Sequence, residues 1–585
     1  MTHPAAVRTA RPLDGVDLRA AGPPALISLA AAHLKLLGCA GRTTFARSGA
    51  GRISLDESVH ADIAWARAAP AGEVSDETTA QAATGVMHVH GRSSGEPRGL
   101  AADYLTTACA VLTVQGLLAA MLGRARGAEV TKVRTGVDLA GLLAVSQYLA
   151  AAGAEDGEAV PIAPGGPPFT TADGVRFEAE TLDPEVWVTF WRALGVPERI
   201  AGSAWRSFQF RYATACSPLP PELHDRARAC TWTEVRRAAR TSGASVCALT
   251  SLTARLAEPA PEAPWQLSPR LPFAPSPARV PETGRPLDGF TVLEAGRRIQ
   301  APLTAHILGM LGATVIRIEP PGGDPLRGMP PACDGLSARW LALNRGKQAV
   351  EIDIKSAAGR AELRELAAGA DVFVHNWAPG TAERLGLDDG DLAAVNPGLV
   401  YAYTSGWAGR LADPPLGTDF MVQARTGVGE AVRPRGEPPA PSLMTLLDVL
   451  GGLLGAEAVL AGLLLRERSG TGVRVDSSLL GAAEMLTLPA LRRAGAGLDP
   501  RAPAGFRQPV PTADGWVAVA GDRAVPEIPR GAGTAAAVGL LRRRGLRATA
   551  VTTALDALPA DPRFSSALTR DDHGATVVPA PWRFA

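Results

Sequence analysis

An aspartate inside an otherwise apolar stretch is the first residue whose position suggests chemistry. Residues 443–465 carry only Asp448 and Glu457 as charged side chains. The stretch has the length of a membrane span, but a carboxylate at the centre of a spanning helix costs about 2.5–3.5 kcal/mol. Gly451, Gly452 and Gly455 in the same stretch suit close packing inside a globule. We therefore predict a buried helix with an acid near its start.

Two roles fit this aspartate when the residues are taken alone. An aspartate commonly caps a helix N-terminus, here a helix beginning at Val449, and residue type by itself favours that role. The other role is covalent attack on an activated carbonyl. His306 lies on the apolar side of a predicted helix, which is typical of a core histidine rather than a ligand.

Alternating strands and helices surround the polar loops that precede Asp448. The pattern predicts strands at 290–293, 313–318, 349–354, 372–374 and 399–403, and helices at 302–311, 357–369 and 380–385. Such alternation indicates a parallel sheet with helices on both faces, and such sheets bind ligands at the carboxyl ends of their strands. The loops contain neither GxGxxG nor GxxxxGK[ST], so no motif supports a nicotinamide or P-loop nucleotide.

Five short markers recur in the same order, which indicates an internal duplication. They are RPLDG at 11–15 and 285–289, QAxTGV at 81–86 and 423–428, LAxxLxRxR at 118–126 and 460–468, TADG at 171–174 and 512–515, and APW at 263–265 and 580–582. Their offsets are 274, 342, 342, 341 and 317, and three successive values agree within one residue. The rise from 274 to 342 means that copy one is shorter between the first two markers. The fall from 341 to 317 means that copy two is shorter between the last two.

The duplication divides the chain into two copies and a connection. Copy one spans residues 1–258 and copy two spans 285–585. Residues 259–284 are rich in proline, which argues against a regular helix or a central strand, so we predict a linker there.

Copy two resembles the class III coenzyme A transferases of the CaiB/BaiF type. The resemblance rests on LGATVIRIEPPGGDP, LNRGKQAVEIDIK, ADVFVHNWAPGTAERLGL, NPGLVYAYTSGW, GTDFMVQARTGV and RERSGTGVRVDSSLL, over roughly residues 285–486. It implies an α/β fold: a Rossmann-like parallel sheet as the large domain, a smaller second domain, and an interlocked dimer. Because this chain carries two copies, we predict a fused pseudo-dimer.

The same resemblance implies which residues act. Asp448 would be the covalent nucleophile that exchanges coenzyme A between an acyl-CoA and a carboxylic acid, with no metal. The expected coenzyme A contacts are Arg298, Lys347, Lys355, Asn376, Trp377 and Arg384, of which Lys347 has the least support. Solvated surface charge, core packing for the tryptophan and a simple turn for the asparagine remain open alternatives.

Copy one is expected to be inactive. The offset of 342 puts Thr106 at the position of Asp448, and the segment missing from copy one covers the region of the coenzyme A loops. We therefore expect copy two to supply catalysis and copy one to supply the surface that a second subunit would otherwise provide. Two other functions stay open: an acyl-CoA racemase or isomerase, which Thr418 disfavours because that branch uses histidine there, and a catalytically silent coenzyme-A-binding scaffold.

Composition limits the partners. The net charge of +1 provides no strong field for nucleic acid or an anionic membrane. Six scattered cysteines without a CxxC pair argue against a zinc site or a disulfide framework and fit a reducing cytoplasm. The first residues have no apolar segment typical of a signal peptide. We predict a cytoplasmic protein acting on small molecules, either a monomeric pseudo-dimer or a homodimer.

Overall fold

The computed structural model describes residues 10–259, 263–272, 284–521 and 526–585. The strands are β1 Asp17–Gly22, β2 Ala40–Phe45, β3 Gly51–Leu55, β4 Val59–Ala64, β5 Lys132–Gly136, β6 Phe169–Thr170, β7 Arg176–Glu180, β8 Ser245–Ala248, β9 Trp265–Pro272, β10 Thr291–Ala295, β11 Thr314–Glu319, β12 Ala332–Cys333, β13 Leu336–Ser337, β14 Gln348–Glu351, β15 Val372–His375, β16 Val400–Ser405, β17 Thr471–Ser478, β18 Val510–Pro511, β19 Trp516–Val519, β20 Ala548–Ala550, β21 Thr569–Arg570, β22 Thr576–Val577 and β23 Arg583–Phe584.

The α-helices follow the same chain order. They are α1 Pro24–Leu36, α2 Glu77–Ala83, α3 Val86–Gly91, α4 Tyr104–Ala125, α5 Val137–Ala144, α6 Ser146–Ala152, α7 Pro184–Ala193, α8 Glu198–Gln209, α9 Arg211–Thr214, α10 Pro221–Arg228, α11 Trp232–Ser242, α12 Leu252–Arg255, α13 Gln300–Met310, α14 Ala338–Asn344, α15 Ala357–Ala368, α16 Thr381–Leu385, α17 Asp389–Val395, α18 Asp419–Arg425, α19 Val428–Ala431, α20 Leu446–Ser469, α21 Leu479–Gly495 and α22 Thr534–Arg543.

The large domain of copy two is a seven-stranded sheet in the order β14-β11-β10-β15-β16-β17-β9. Its first six strands are parallel, as the alternation of strands and helices predicts. The strands and helices expected between 290 and 403 are all confirmed within a few residues at each end. This sheet brings the loops after β10, β14, β15 and β16 to one edge.

Copy one has a smaller, mixed sheet in the order β2-β1-β3-β4-β5-β23. The antiparallel hairpin β3–β4 occupies the stretch in which copy one is shorter than copy two. Strand β3 pairs with β1 in the antiparallel direction, and β4 then pairs with β5 in parallel. A short hairpin therefore replaces the longer strand–helix segment that carries the polar loops in copy two.

Each copy completes the sheet of the other. Strand β9, which begins with the tryptophan of the first APW marker, pairs antiparallel with β17 of copy two, with Trp265 opposite Ser477. Strand β23, directly after the second APW marker, pairs antiparallel with β5 of copy one, with Arg583 opposite Arg134. This reciprocal exchange interlocks the two copies, as the predicted pseudo-dimer requires.

The two longest helices pack against each other at the centre of this arrangement. Helix α4 of copy one and α20 of copy two are related by the offset of 342, and 94% of the apolar window of each is buried. Both are long and apolar enough to cross a membrane, but their burial matches core helices. Gln115 donates to the carbonyl oxygen of Leu453 (2.5 Å), and the buried His33 ring contacts Glu457 at 2.9 Å. The prediction of a buried helix with an acid near its start is confirmed.

The linker expectation fails for part of its range. Residues 265–272 form the eight-residue strand β9 at the edge of the large sheet, where proline is tolerated because one side of the strand needs no ladder partner. Residues 260–262 and 273–283 lie outside the described residues.

A second, smaller domain follows each large one. In copy one, β6–β8 and α7–α11 enclose a separate aromatic core that includes Trp187, Phe190 and Trp191. In copy two the corresponding region is reduced to β18–β20 and α22 around Val517 and Leu541.

Candidate active site

Asp448 lies in the first turn of α20, near the edge at which the parallel strands end. The helix begins at Leu446 with Thr445 as its N-cap, so the capping role for a helix starting at Val449 is wrong. Since α20 leads into β17, its N-terminus returns to the carboxyl ends of the strands. An acid in the first turn is favoured by the helix dipole.

Asp419 fixes this turn from outside the helix. One of its carboxylate oxygens accepts hydrogen bonds from the backbone N–H groups of Leu447 and Asp448, both at 2.7 Å, and the other accepts from Gln423 at 2.5 Å. Burial and the charge of Asp448 raise the pKa of Asp419 well above its usual value, while these hydrogen bonds oppose the change. Asp419 therefore positions the backbone beneath the candidate nucleophile.

Opposing charges set the protonation of Asp448. Burial raises the pKa of Asp448 to about 6, the Arg298 guanidinium opposes that rise, and the carboxylate of Glu180 adds to it. Within the described part of the chain, the Asp448 oxygens receive no hydrogen bond, so few local groups stabilise the ionised form. At neutral pH the group is mostly an ionised, weakly solvated carboxylate, which suits nucleophilic attack.

Copy one forms the opposite wall of the site. Glu180 accepts a hydrogen bond from Thr418 at 2.9 Å and from Arg211 at 3.0 Å, and it belongs to the small domain of copy one. Arg298 of copy two lies over the ring of Tyr212 of copy one, 5.0 Å from its centroid. A small cleft of about 10 Å³, the space of about one water molecule, lies among Glu180, Tyr212 and Arg298.

Asn376 and Arg298, two of the predicted coenzyme A residues, lie together beside this cleft. Both polar atoms of the Asn376 amide bind the backbone of Arg297, accepting from its N–H at 2.8 Å and donating to its carbonyl at 3.0 Å. The next residue, Arg298, has φ +61°, a strained backbone for a non-glycine residue. Asn376 therefore holds the turn that directs Arg298 toward Asp448 and Tyr212.

Lys347 is bound by neighbouring residues of the large domain of copy two. Its ammonium group donates to Glu294, the carbonyl of Pro302 and Asn344, each at 2.8 Å, and its side chain is only 3% exposed. Burial lowers the pKa of Lys347 to about 8. All three N–H groups are used, so this lysine supports the fold and is not available to a phosphate.

The remaining three candidates lie around the same sheet edge at different depths. Lys355 and Arg384 are exposed, and Arg384 donates to Thr381 at 2.8 Å. Trp377 packs with its ring centroid 4.7 Å from that of His375 and 5.9 Å from that of Phe373. The tryptophan thus has a packing role already, whereas the two cations face solvent.

The related position in copy one carries the same framework with Thr106 in place of Asp448. Glu77 takes the place of Asp419 and accepts from the backbone N–H groups of Leu105 and Thr106, both at 2.8 Å. Arg507 of copy two donates to the carbonyls of Leu100 (2.9 Å) and Ala102 (2.8 Å), and it also pairs with the Asp103 carboxylate. The backbone of this turn is preserved, but an arginine fills the space before it.

Several site residues were missed from the sequence. Glu180, Arg211 and Tyr212 belong to copy one, and only the folded interlock brings them to Asp448. Asp419 had a usable signal, because the offset of 342 aligns it with Glu77 and aligns Gln423 with Gln81.

The sheet, the smaller second domain and the interlock define an α/β pseudo-dimer with one candidate nucleophile. The profile of CoA-transferase family III matches residues 67–264 and 287–564. The chain belongs to this family, and the match in two segments agrees with the duplication.

Two relatives each match about a third of this chain. The acetyl-CoA:oxalate CoA-transferase of Acetobacter aceti is 36% identical over 198 residues, 33% of this chain and 51% of the relative. The succinyl-CoA:glutarate CoA-transferase of Mus musculus is 34% identical over 200 residues, covering 34% and 46%. The chain spans about half the length of these relatives. A CaiB/BaiF family crystal structure from Brucella suis is 26% identical with a TM-score of 0.44, covering 51% of this chain and 93% of that one.

Proposed function

We propose that this protein transfers coenzyme A from an acyl-CoA to a carboxylic acid, with Asp448 as the covalent nucleophile. The observation that carries the proposal is the setting of Asp448. It is a half-buried carboxylate at the carboxyl edge of the sheet, and the opposing charges of Arg298 and Glu180 act on its pKa. Membership of the family and the named activities of its relatives support the same reaction class.

Four balanced steps accomplish the exchange. The Asp448 carboxylate attacks the thioester carbonyl, the C–S bond breaks, and coenzyme A thiolate leaves a mixed anhydride. The thiolate then attacks the aspartyl carbonyl, releasing the first acid and forming an aspartyl thioester. The acceptor carboxylate attacks that thioester to give a second anhydride and thiolate. Attack of the thiolate on the acceptor's carbonyl forms the new acyl-CoA and regenerates Asp448.

Arg298 is the cation best placed to stabilise negative charge during these steps. It already interacts with Asp448, and Asn376 fixes its backbone. Lys355 and Arg384 would bind the coenzyme A phosphates, where lysine offers a point charge and arginine a bidentate fork. Trp377 would contribute a flat face. Lys347 is omitted from this set because its donors are occupied.

A racemase is a weaker proposal for this site. Racemisation needs a second acid–base group to return a proton to the opposite face of the α-carbon. Thr418 stands at the relevant position and donates its hydroxyl to Glu180. A threonine hydroxyl held in this way is too weak an acid and too weak a base to fill that role at neutral pH.

Trapping the aspartyl thioester tests the proposal. Hydroxylamine added during incubation with succinyl-CoA and oxalate should convert Asp448 to a hydroxamate within the tryptic peptide 436–466. The peptide also contains Glu437 and Glu457, so fragment ions must assign the adduct. Asp448→Asn should show neither adduct nor exchange, and Thr106→Val is the matched control because it alters the related turn of copy one.

The outcome separates this proposal from its alternatives. An adduct on another carboxylate would refute the role of Asp448. A chain that shows neither adduct nor exchange with a panel of acyl-CoA donors and carboxylates, yet binds coenzyme A, would be the silent scaffold. We further propose that residues 1–258 form the supporting copy, residues 285–585 the active copy, and that the protein works in the cytoplasm.

A further inference from the structure

A cavity at the junction of the two copies concentrates positive charge away from the proposed chemistry. It has a volume of about 240 Å³, and Arg98, Arg176 and Arg433 line it together with a single carboxylate, Glu437. The space can hold a small ion or metabolite.

Carboxylates of the described residues neutralise the three arginines only in part. Glu437 is shared, lying 3.3 Å from Arg98 and 3.6 Å from Arg433, and Glu96 pairs with Arg98 at 3.0 Å. Arg176 has no carboxylate within salt-bridge distance in the part of the chain that the structure describes. Three arginines therefore face two carboxylates, Glu437 in the lining and Glu96 beside it, which leaves an excess of one positive charge.

Burial makes that excess costly. The side chain of Arg433 is 7% exposed, and the Nε atoms of Arg98 and Arg176 are buried without a hydrogen-bond partner among the described residues. Desolvation lowers the pKa of Arg176, and it lowers that of Arg433 to about 10. Arg433 is the buried residue of the three, whereas Arg98 and Arg176 are half-buried. Buried guanidinium groups are normally paired, so an anion bound beside Arg433 would relieve this cost.

The internal repeat shows that the charge is not a requirement of the shared fold. The offset of 342 aligns Arg98 with Ala440 and Arg433 with Gly91, while the offset of 341 aligns Arg176 with Val517. All three arginines therefore occupy positions at which the other copy has a small or apolar residue. The framework folds without cations at these positions.

We propose that this arginine cavity is a binding site for a small dianion with carboxylate or phosphate groups. Two guanidinium forks can hold the two charged ends of such a ligand in bidentate contacts. Ser94 at the rim is exposed, so the cavity is open to solvent. This cavity shares no lining residue with the small cleft at Arg298 and Glu180, and its proposed role does not depend on the proposed transfer activity.

Calorimetric titration of the full chain with succinate and with inorganic phosphate, at constant ionic strength, tests the proposal. We expect saturable binding of at least one of them, weakened at least tenfold by Arg176→Met and unchanged by Arg199→Met on the exposed face of α8. Saturation by succinate alone would assign a dicarboxylate site, and saturation by phosphate alone a phosphate site. Asp448→Asn should retain the binding, which places the ligand outside the proposed catalytic site.

Three results would overturn the proposal. They are no saturable binding of either anion, binding that survives Arg176→Met, and binding that disappears in Asp448→Asn. Folding is checked by the melting temperature without ligand, which Arg176→Met should not lower because that residue lacks a carboxylate partner among the described residues. If the variant nevertheless fails to fold, Arg176→Lys serves instead. It keeps the charge but loses the fork, and it should weaken binding about tenfold.

Discussion

The pH dependence of transfer tests whether Asp448 acts in the environment that the structure gives it. Only the ionised carboxylate attacks, so kcat/KM should follow its ionised fraction. With a pKa of about 6, that fraction falls from about 0.9 at pH 7 to about 0.1 at pH 5. We expect about a tenfold loss of kcat/KM over this interval, measured with a thioester whose own chemistry does not titrate there.

Two substitutions should move this acid limb in opposite directions. Arg298→Met removes the cation that lowers the pKa of Asp448 and should move the limb upward by about one pH unit. Glu180→Gln removes a like charge and should move it downward. Arg297→Met is the matched control because Arg297 is the exposed neighbour of Arg298.

Stability provides a second readout of the same group. The folded pKa of Asp448 is raised, so its ionisation costs stability as pH rises from about 4 to about 6. Asp448→Asn removes this cost and should gain about 3 kcal/mol at pH 7, measured by urea denaturation, with the gain absent below pH 4. If the acid limb of kcat/KM lies near pH 4 and neither Arg298→Met nor Glu180→Gln shifts it, the electrostatic account is refuted.

Three further perturbations examine the rest of the architecture. Asn376→Ala should lower kcat about tenfold with less than a threefold change in KM for acyl-CoA, because it releases the turn that carries Arg298, the cation proposed to stabilise charge during the reaction. A rise in KM with kcat unchanged would contradict this. Arg507→Ala should lower the melting temperature through about 1–3 kcal/mol of lost hydrogen bonds and leave the transfer rate intact, since it fills the turn of copy one. His33→Leu should destabilise the chain by about 3–5 kcal/mol by isolating the buried carboxylate of Glu457; if the double variant with Glu457→Leu is no more stable than His33→Leu, the pair is not the cause.

Local periodicity was sufficient for the large domain of copy two. Its strands and helices have short loops and regular patterns, so the parallel sheet and its polar edge could be predicted. Strand β9 could not be predicted from the sequence. Its two prolines argue locally against a strand, and its partner strand, β17, lies about 200 residues later in the chain. Lys347 was ambiguous for a related reason: no local pattern shows that Glu294 and Pro302 occupy its ammonium group.

No local sequence pattern could have predicted the residues that form the opposite wall of the site. Glu180 and Tyr212 carry no motif, and they reach Asp448 only because the small domain of copy one packs on α18 of copy two. The repeat itself held the usable information. Its constant offset predicted correctly that Thr106 takes the position of Asp448, and the same arithmetic could have identified Asp419 through Glu77.

The β3–β4 segment of copy one and the small domain of copy two are the two shortened regions of the chain. Both belong to the site around Thr106 in copy one. The small domain of copy one, which is intact, faces Asp448 through Glu180, whereas the reduced small domain of copy two faces α2 of copy one, where Thr552 donates to the carbonyl of Ala82 at 2.9 Å. Copy one has also lost the loops that would serve a nucleophile at Thr106. In a homodimer of identical chains such losses would damage both sites at once. Under the proposed function, fusion removes that constraint: the site around Thr106 can do without an aspartate, its loops and its covering domain, while the parts around Asp448 stay complete.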